Sequence, residues 1–139
     1  MGLSAVVYKN ASALEKEFPG YRFQREPISG ECEPIHPADR GIPWDAVKAC
    51  ERRFGSISHI GALRETIAGY LGRDSALERL VLYSGSHAGD VIMDMSFDEL
   101  EGEARLVEAS PDAYVRKFAD ELLMLIRAAR QEQNPIVFV

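Results

Sequence analysis

Cysteine is scarce in this chain, with two residues, Cys32 and Cys50, among 139. They lie far apart and match no metal-ligand spacing. One disulfide could form in principle, but we expect two reduced, partly buried thiols because the chain shows no secretion signal.

Long apolar runs and a basic leader are also missing. No stretch approaches the ~20 apolar residues of a membrane span. Residues 1–7 contain no basic residue, and their apolar run is too short for a signal peptide. We therefore expect a soluble, cytoplasmic protein that does not act on membranes.

Basic residues are fewer than acidic ones. The chain has 16 Lys and Arg against 22 Asp and Glu, which gives a formal net charge of −6. This balance argues against nucleic acid, because binding a polyphosphate backbone depends on Lys and Arg that release counterions. It argues equally against anionic membrane surfaces. It allows a basic protein partner, although the same charge could serve only to keep a small domain soluble.

What the chain does contain is an apolar segment at each end. Leu3–Tyr8 and Ile136–Val139 are rich in β-branched and apolar residues, a pattern typical of buried strands. Two such runs cannot both stay exposed, so we expect them in one sheet, where they could lie side by side. At a common single-domain length, the sequence predicts one α+β domain over residues 1–139, mainly helical with a small sheet containing the N- and C-terminal strands.

Three helix starts are predicted from local signals. Ser12–Glu15 and Ser96–Glu99 both have the form of a capping box, in which the serine accepts a backbone N–H and the glutamate reaches back. Pro111 has the place of a first helical residue, with Ser110 as the N-cap before it.

Apolar spacing predicts the buried faces of four helices. Their members are Trp44, Val47, Cys50 and Phe54; Ile57, Ile60, Leu63, Ile67 and Leu71; Phe97, Leu100, Ala104 and Val107; and Tyr114, Val115, Phe118, Leu122, Leu125, Ile126 and Ala129. Alternation over residues 21–26 predicts a half-buried strand, with a weak partner around 31–33. Apolar residues also gather at Leu77, Leu80, Val81 and Leu82, but their spacing leaves the type of element open.

Trp44 is the only tryptophan and follows Gly41-Ile42-Pro43. We expect its ring to anchor the core. The alternative is a partly exposed ring that serves as an interface hot spot.

One polar loop, Ser84–Asp90, stands out between apolar segments. Loops held by rigid elements often carry function. Its glycines lack the Lys-Ser/Thr of a P-loop, and its serine does not sit midway as in a G-x-S-x-G elbow. A Ser–His–Asp triad from Ser84 or Ser86, His87 and Asp90 is disfavoured, because neighbours on a tight loop rarely reach the required geometry. The alternative to a functional loop is a structural polar turn.

His87, Asp90 and Asp94 place an imidazole and two carboxylates within eight residues. A metal site needs three or four converging ligands, so the fold would have to bring His36 or His59 close. A small enzyme or metal-dependent hydrolase centred on His87 and Asp90 is the alternative that we retain. We assign no catalytic residue, metal or cofactor.

Acidic residues gather directly after this loop, in residues 90–103. The segment contains no Lys or Arg and carries Asp90, Asp94, Asp98, Glu99, Glu101 and Glu103. The dipole of the predicted helix explains the charges in its first turns, but not Asp90 and Asp94. The segment would suit an Arg- or Lys-rich surface, unless it is only a solvated helix face.

Three segments read together, Met1–Tyr8, Leu82–Ile92 and Asn134–Val139, carry a resemblance that spans the chain. They resemble a set of small bacterial proteins with a Ser/His/Gly/Asp loop ahead of the penultimate helix. Some of those proteins are similar to immunity partners of secreted polymorphic toxins. The resemblance implies a non-enzymatic binding role and carries over no catalytic residue.

The leading hypothesis from the sequence is a non-enzymatic cytoplasmic protein-binding module, immunity-like in character, that presents the 84–90 loop and the acidic segment to a basic protein. The residues expected to contact the partner are Ser84, Ser86, His87, Asp90, Asp94, Asp98 and Glu101. The oligomeric state stays open.

Overall fold

A computed structural model describes residues 2–35 and 42–139. In chain order its elements are β1 (Gly2–Tyr8), α1 (Ala11–Glu17), β2 (Phe23–Arg25), β3 (Cys32–Pro34), β4 (Lys48–Ser56), α2 (Ile57–Leu71), a short π-helical segment (Glu78–Leu82), β5 (Val91–Ile92), a 3₁₀ turn (Asp94–Ser96), α3 (Phe97–Glu108), α4 (Ala113–Glu132) and β6 (Ile136–Phe138). No helix of the described residues is long and apolar enough to cross a membrane.

The two terminal strands lie side by side at the centre of the main sheet. This sheet is antiparallel with the order β4-β1-β6-β5, and β2 and β3 form a separate hairpin. Ala5 lies opposite Phe138, and Val6 lies opposite Val137. The predicted α+β domain, with both terminal strands in one small sheet, is confirmed.

Both faces of the sheet are covered, and side chains of β1 and β6 alternate between two apolar clusters. Leu3, Ala5 and Val7 pack into the larger cluster with the buried faces of α2, α3 and α4. Val6 and Tyr8 pack on the other face with residues of α1 and the hairpin. A strand buried on both faces reads as a continuous apolar run, which explains why the terminal segments were recognisable.

The predicted faces of α2, α3 and α4 are largely confirmed. Ile60, Leu63 and Ile67 of α2 are buried, as are all four predicted residues of α3. On α4, every predicted residue is buried except Tyr114, which is exposed. Residues 78–82, whose type was open, are helical.

The predicted helix through Trp44, Val47, Cys50 and Phe54 is wrong, because residues 48–56 form the strand β4. Cys50 and Phe54 are four residues apart, a spacing that places side chains on one face of a helix and equally on one face of a strand. β1 needs a hydrogen-bonding partner on each edge, and β4 supplies one along the whole of β1. Tertiary pairing therefore decided what the local spacing could not.

The expectation that Trp44 anchors the core is also wrong. Residues 44–47 form a surface turn before β4, and the indole is 78% exposed. Its ring lies under the Lys48 ammonium, with Nζ 4.4 Å from the ring centroid.

Two predicted N-caps lie at the wrong residue. Asn10, not Ser12, caps α1, because its Oδ1 accepts from the Ala13 N–H at 2.8 Å. At α4 the cap is Asp112, whose Oδ1 accepts from the N–H groups of Tyr114 and Val115. In both cases an Asx side chain, an equally good cap, provides the bond.

The capping box predicted at Ser96–Glu99 marks the start of α3 correctly but does not form its side-chain bond. Ser96 ends the 3₁₀ turn Asp94–Ser96, so its backbone is already helical, with φ −98° and ψ −7°. An N-cap serine needs an extended backbone to reach the N–H two or three residues ahead.

The two cysteines are free, with Cys32 buried and Cys50 partly buried. Burial raises the pKa of both thiols. We therefore expect slow alkylation in the native state, since the thiolate is the reactive form.

Candidate functional site

The 84–90 loop connects the short helical segment to β5 and is held against β6 by backbone hydrogen bonds. The Gly89 N–H donates to the Phe138 carbonyl at 2.8 Å, and the Phe138 N–H donates to the Asp90 carbonyl at 2.9 Å. The loop is thus positioned by the end of the chain, a link that no local sequence pattern could reveal.

The two serines of the loop shape its backbone. Ser84 Oγ accepts from the Ser86 N–H at 3.3 Å and donates to the Ser86 carbonyl at 3.1 Å. Gly85 lies very close to Ile57. A Cβ added to Gly85 would lie only 2.8 Å from the Cα of Ile57. These contacts favour the structural-turn interpretation for Ser84 and Ser86.

His87 is covered, and both ring nitrogens face the protein. Only 5% of its side chain is exposed, and the ring lies between Tyr83 and Phe138 at centroid distances of 4.3 and 4.2 Å. Nε2 lies 2.8 Å from the Val81 carbonyl, so it must carry the proton of that bond. Nδ1 is buried, makes no hydrogen bond and lies 3.5 Å from Asp90 Oδ2.

Asp90 links this buried group to the surface. Its Oδ2 accepts a hydrogen bond from the Tyr83 hydroxyl, while 56% of the side chain remains exposed. His87 therefore serves as an internal support for the loop, and Asp90 is the residue of the pair that a partner can reach.

Beyond Asp90, exposed acidic and apolar side chains alternate along the chain. Met95, in the 3₁₀ turn, is 85% exposed, and the Asp98 side chain is 99% exposed. We call this surface the acidic edge; its members are Tyr83, Asp90, Met93, Asp94, Met95 and Asp98.

Part of the negative charge on α3 is already matched inside the molecule. Arg130 of α4 pairs with Asp98 at 2.6 Å and with Glu101. Arg79 pairs with Glu99 at 3.2 Å.

Glu103 has a structural role of its own. Its carboxylate accepts from the N–H groups of Ala76 and Leu77, at 3.0 and 2.9 Å, and so caps the short helical segment from outside. These tertiary contacts, rather than the dipole of α3, account for the charge at Glu103.

Asp94 differs from its acidic neighbours. Within residues 2–35 and 42–139 its carboxylate has no hydrogen bond or ion pair, and it lies on the rim of a pocket of about 380 Å³. Phe97 and Pro135 line the apolar part of that pocket, and Arg25 and Arg130 line its polar part. Arg25 comes from the distant β2, so the sequence offered no signal for this pocket.

No convergent set of metal ligands is found in the part of the chain that the structure describes, where no three His, Cys, Asp or Glu side chains come together. His59, one candidate third ligand, packs against Tyr114 with ring centroids 5.2 Å apart. His36, the other, lies outside the described residues.

Comparisons with known proteins add no assignment: no family model, curated protein or solved structure matches the chain.

Proposed function

We propose that this chain is a cytoplasmic, non-enzymatic protein-binding module that docks a basic protein on the acidic edge. The observation that supports this most is Met95, which is 85% exposed between the exposed carboxylates of Asp94 and Asp98. Met and Tyr are enriched at protein interfaces relative to the rest of the protein surface. Flanking carboxylates would steer and orient a basic surface.

The expected contact residues divide into two groups in this proposal. Asp90, Asp94 and Asp98 face the partner. Ser84, Ser86 and His87 hold the loop in shape behind Asp90, and Glu101 anchors Arg130 beside Asp98.

An immunity-like role is the finer form of this proposal. An inhibitor of a basic secreted protein would present an acidic surface with an exposed apolar side chain, and the acidic edge has both. The hydrolase alternative would require an imidazole presented to substrate, whereas the nitrogens of His87 point at Val81 and Asp90. No observation favours it as a second function.

The test begins with co-expression of the chain and its neighbouring gene product, followed by affinity measurements on the purified pair. We expect Asp94→Lys and Met95→Ala each to weaken binding about tenfold or more, as truncation of a central interface residue does. Affinity should also fall with ionic strength, because exposed charges are screened by salt.

Asp74→Lys is the matched control, since Asp74 is exposed at the turn after α2 and undergoes the same charge change. If Asp74→Lys weakened binding as much as Asp94→Lys, the effect would be one of net charge and the proposed interface would be wrong. Unchanged affinity in Met95→Ala would equally contradict it.

A further inference from the structure

We propose a second docking surface, formed by the outer edge of β4 and the N-terminal half of α4, that binds an extended acidic peptide segment by strand addition. This surface is separate from the acidic edge, which borders the C-terminal end of α4 through Arg130. We call it the β4 groove; its members are Arg52, Arg53, Tyr114, Arg116, Lys117, Asp120, Glu121 and Met124.

The β4 groove consists of two adjoining concavities between strand and helix. One has a volume of about 430 Å³ and the other about 220 Å³, and Lys117 and Glu121 line both. Two apolar side chains, Tyr114 and Met124, are exposed beside it. A continuous depression with exposed apolar borders is a shape that accepts a chain in extended form.

The charge of the β4 groove is opposite to that of the whole chain. Four Lys or Arg side chains line it against two carboxylates, Asp120 and Glu121, in a chain whose formal net charge is −6. Glu121 is mostly covered and lies 3.9 Å from Lys117 Nζ, whereas 74% of the Lys117 side chain faces solvent. A negatively charged partner is therefore favoured at this surface and disfavoured over most of the rest.

β4 provides the backbone for such a partner. It is an end strand of the main sheet, and its outer edge has no strand partner among the described residues. At nine residues it is the longest strand, and a long unpaired edge offers a row of N–H and C=O groups to an added strand. Alternate side chains of that strand would point toward Arg52 and Lys117.

A peptide fits these observations better than a nucleic acid does. The carboxylates of Asp120 and Glu121 would repel a continuous polyphosphate, but they can be avoided by a chain that is charged at every second residue. Backbone pairing to β4 and apolar contact with Tyr114 and Met124 also require a polypeptide.

The probe is an N-acetylated, C-amidated seven-residue peptide of alternating glutamate and valine, titrated into the isotopically labelled full chain. We expect NMR shift changes and slowed amide exchange confined to β4 and to α4 residues 113–124, and binding that weakens with salt. Arg52→Gln and Lys117→Glu should each weaken binding about tenfold. The matched control is Lys16→Glu, because Lys16 is exposed on α1, on the other face of the sheet. This substitution should leave peptide binding unchanged.

Several outcomes would overturn the proposal. One is that the corresponding lysine–valine peptide binds as tightly as the glutamate–valine peptide. Another is that Lys16→Glu weakens peptide binding as much as Lys117→Glu does. Binding of an oligothymidylate at β4 with no peptide binding would assign the surface to nucleic acid. A sedimentation mass of twice the monomer, with β4 amides protected in the free chain, would assign it to a second copy. Circular dichroism of each variant verifies that it is folded.

Discussion

Asn134 shows how one side chain can join distant parts of this chain. Its amide is 4% exposed. Nδ2 donates to the Tyr8 carbonyl at 2.7 Å, and Oδ1 accepts from Nε and Nη2 of Arg25 at 3.1 and 3.0 Å. The end of β1 and the β2–β3 hairpin are thus tied to Asn134, two positions before β6. In the sequence Asn134 was recognisable only as a helix stop, because its partners lie more than a hundred positions away.

Glu121 provides a prediction about pH at the same scale. Burial raises the pKa of its carboxyl group, and the charges of Lys117 and Arg52 offset this only in part. A carboxyl whose pKa is raised by folding contributes stability at acid pH that is lost as pH rises through the folded-state pKa. We expect Glu121→Gln to raise the free energy of unfolding at pH 7 by about 0.5 kcal/mol, the scale of partly screened charge effects.

Urea unfolding across a pH series measures this effect. The difference between Glu121→Gln and the parent should disappear by about pH 3, well below the ordinary pKa of glutamate, where the carboxyl group is protonated in both the folded and the unfolded state. Asp120→Asn, at the exposed neighbouring position, is the control and should give no comparable gain. A Glu121→Gln variant less stable than the parent at pH 7 would show that the ion pair with Lys117 outweighs desolvation.

Among the elements, α2 to α4 were predictable and β4 was not. The helices carry apolar stripes that fit only a period of 3.6 residues, so spacing identified them. β4 carries charges at Lys48, Glu51, Arg52 and Arg53 and has only Phe54 fully buried. An edge strand of this kind lacks the alternation by which strands are recognised.

The C-terminal end of α4 gives a prediction for an element. Gln133 caps the helix in the left-handed region, with φ 55° and ψ 39°, a conformation that is unfavourable for side chains with a Cβ and routine for glycine. We expect Gln133→Gly to raise the free energy of unfolding by about 0.5–1 kcal/mol. Urea denaturation at constant pH is the measurement.

Gln131→Gly is the control for that variant. Gln131 is an exposed residue inside α4, where glycine costs about 1 kcal/mol relative to good helix formers. The same substitution two residues apart should therefore change stability in opposite directions. Loss of stability in both variants would show that the Gln133 side chain makes a contribution larger than its backbone strain.

At the scale of the whole molecule, the last strand completes the sheet. β6 lies between β1 and β5, and its three side chains are buried, Ile136 and Phe138 in the main cluster and Val137 in the other. Burial of one such side chain contributes about 1.5–3 kcal/mol, so losing three approaches the 5–15 kcal/mol that a typical domain possesses. We expect a chain ending at Pro135 to be unfolded, with loss of near-ultraviolet circular dichroism and of NMR dispersion.

Deleting only Val139 serves as the comparison. Val139 is half-exposed and donates one backbone bond to the Ser4 carbonyl at 3.0 Å, so its removal should lower stability by about 1 kcal/mol and leave the fold intact. Native-like spectra from the chain ending at Pro135 would contradict the central role assigned to β6.

The sequence by itself determined the α+β class, the placement of the two terminal strands in one sheet and the buried faces of α2, α3 and α4. These follow from the burial of apolar residues, which leaves a periodic record in the chain. Only the tertiary structure decided that residues 48–56 form a strand, that Trp44 is exposed and that His87 lies beneath Asp90. The strand depends on its pairing with β1, and the position of His87 depends on backbone hydrogen bonds between the loop and Phe138, so no local pattern records either.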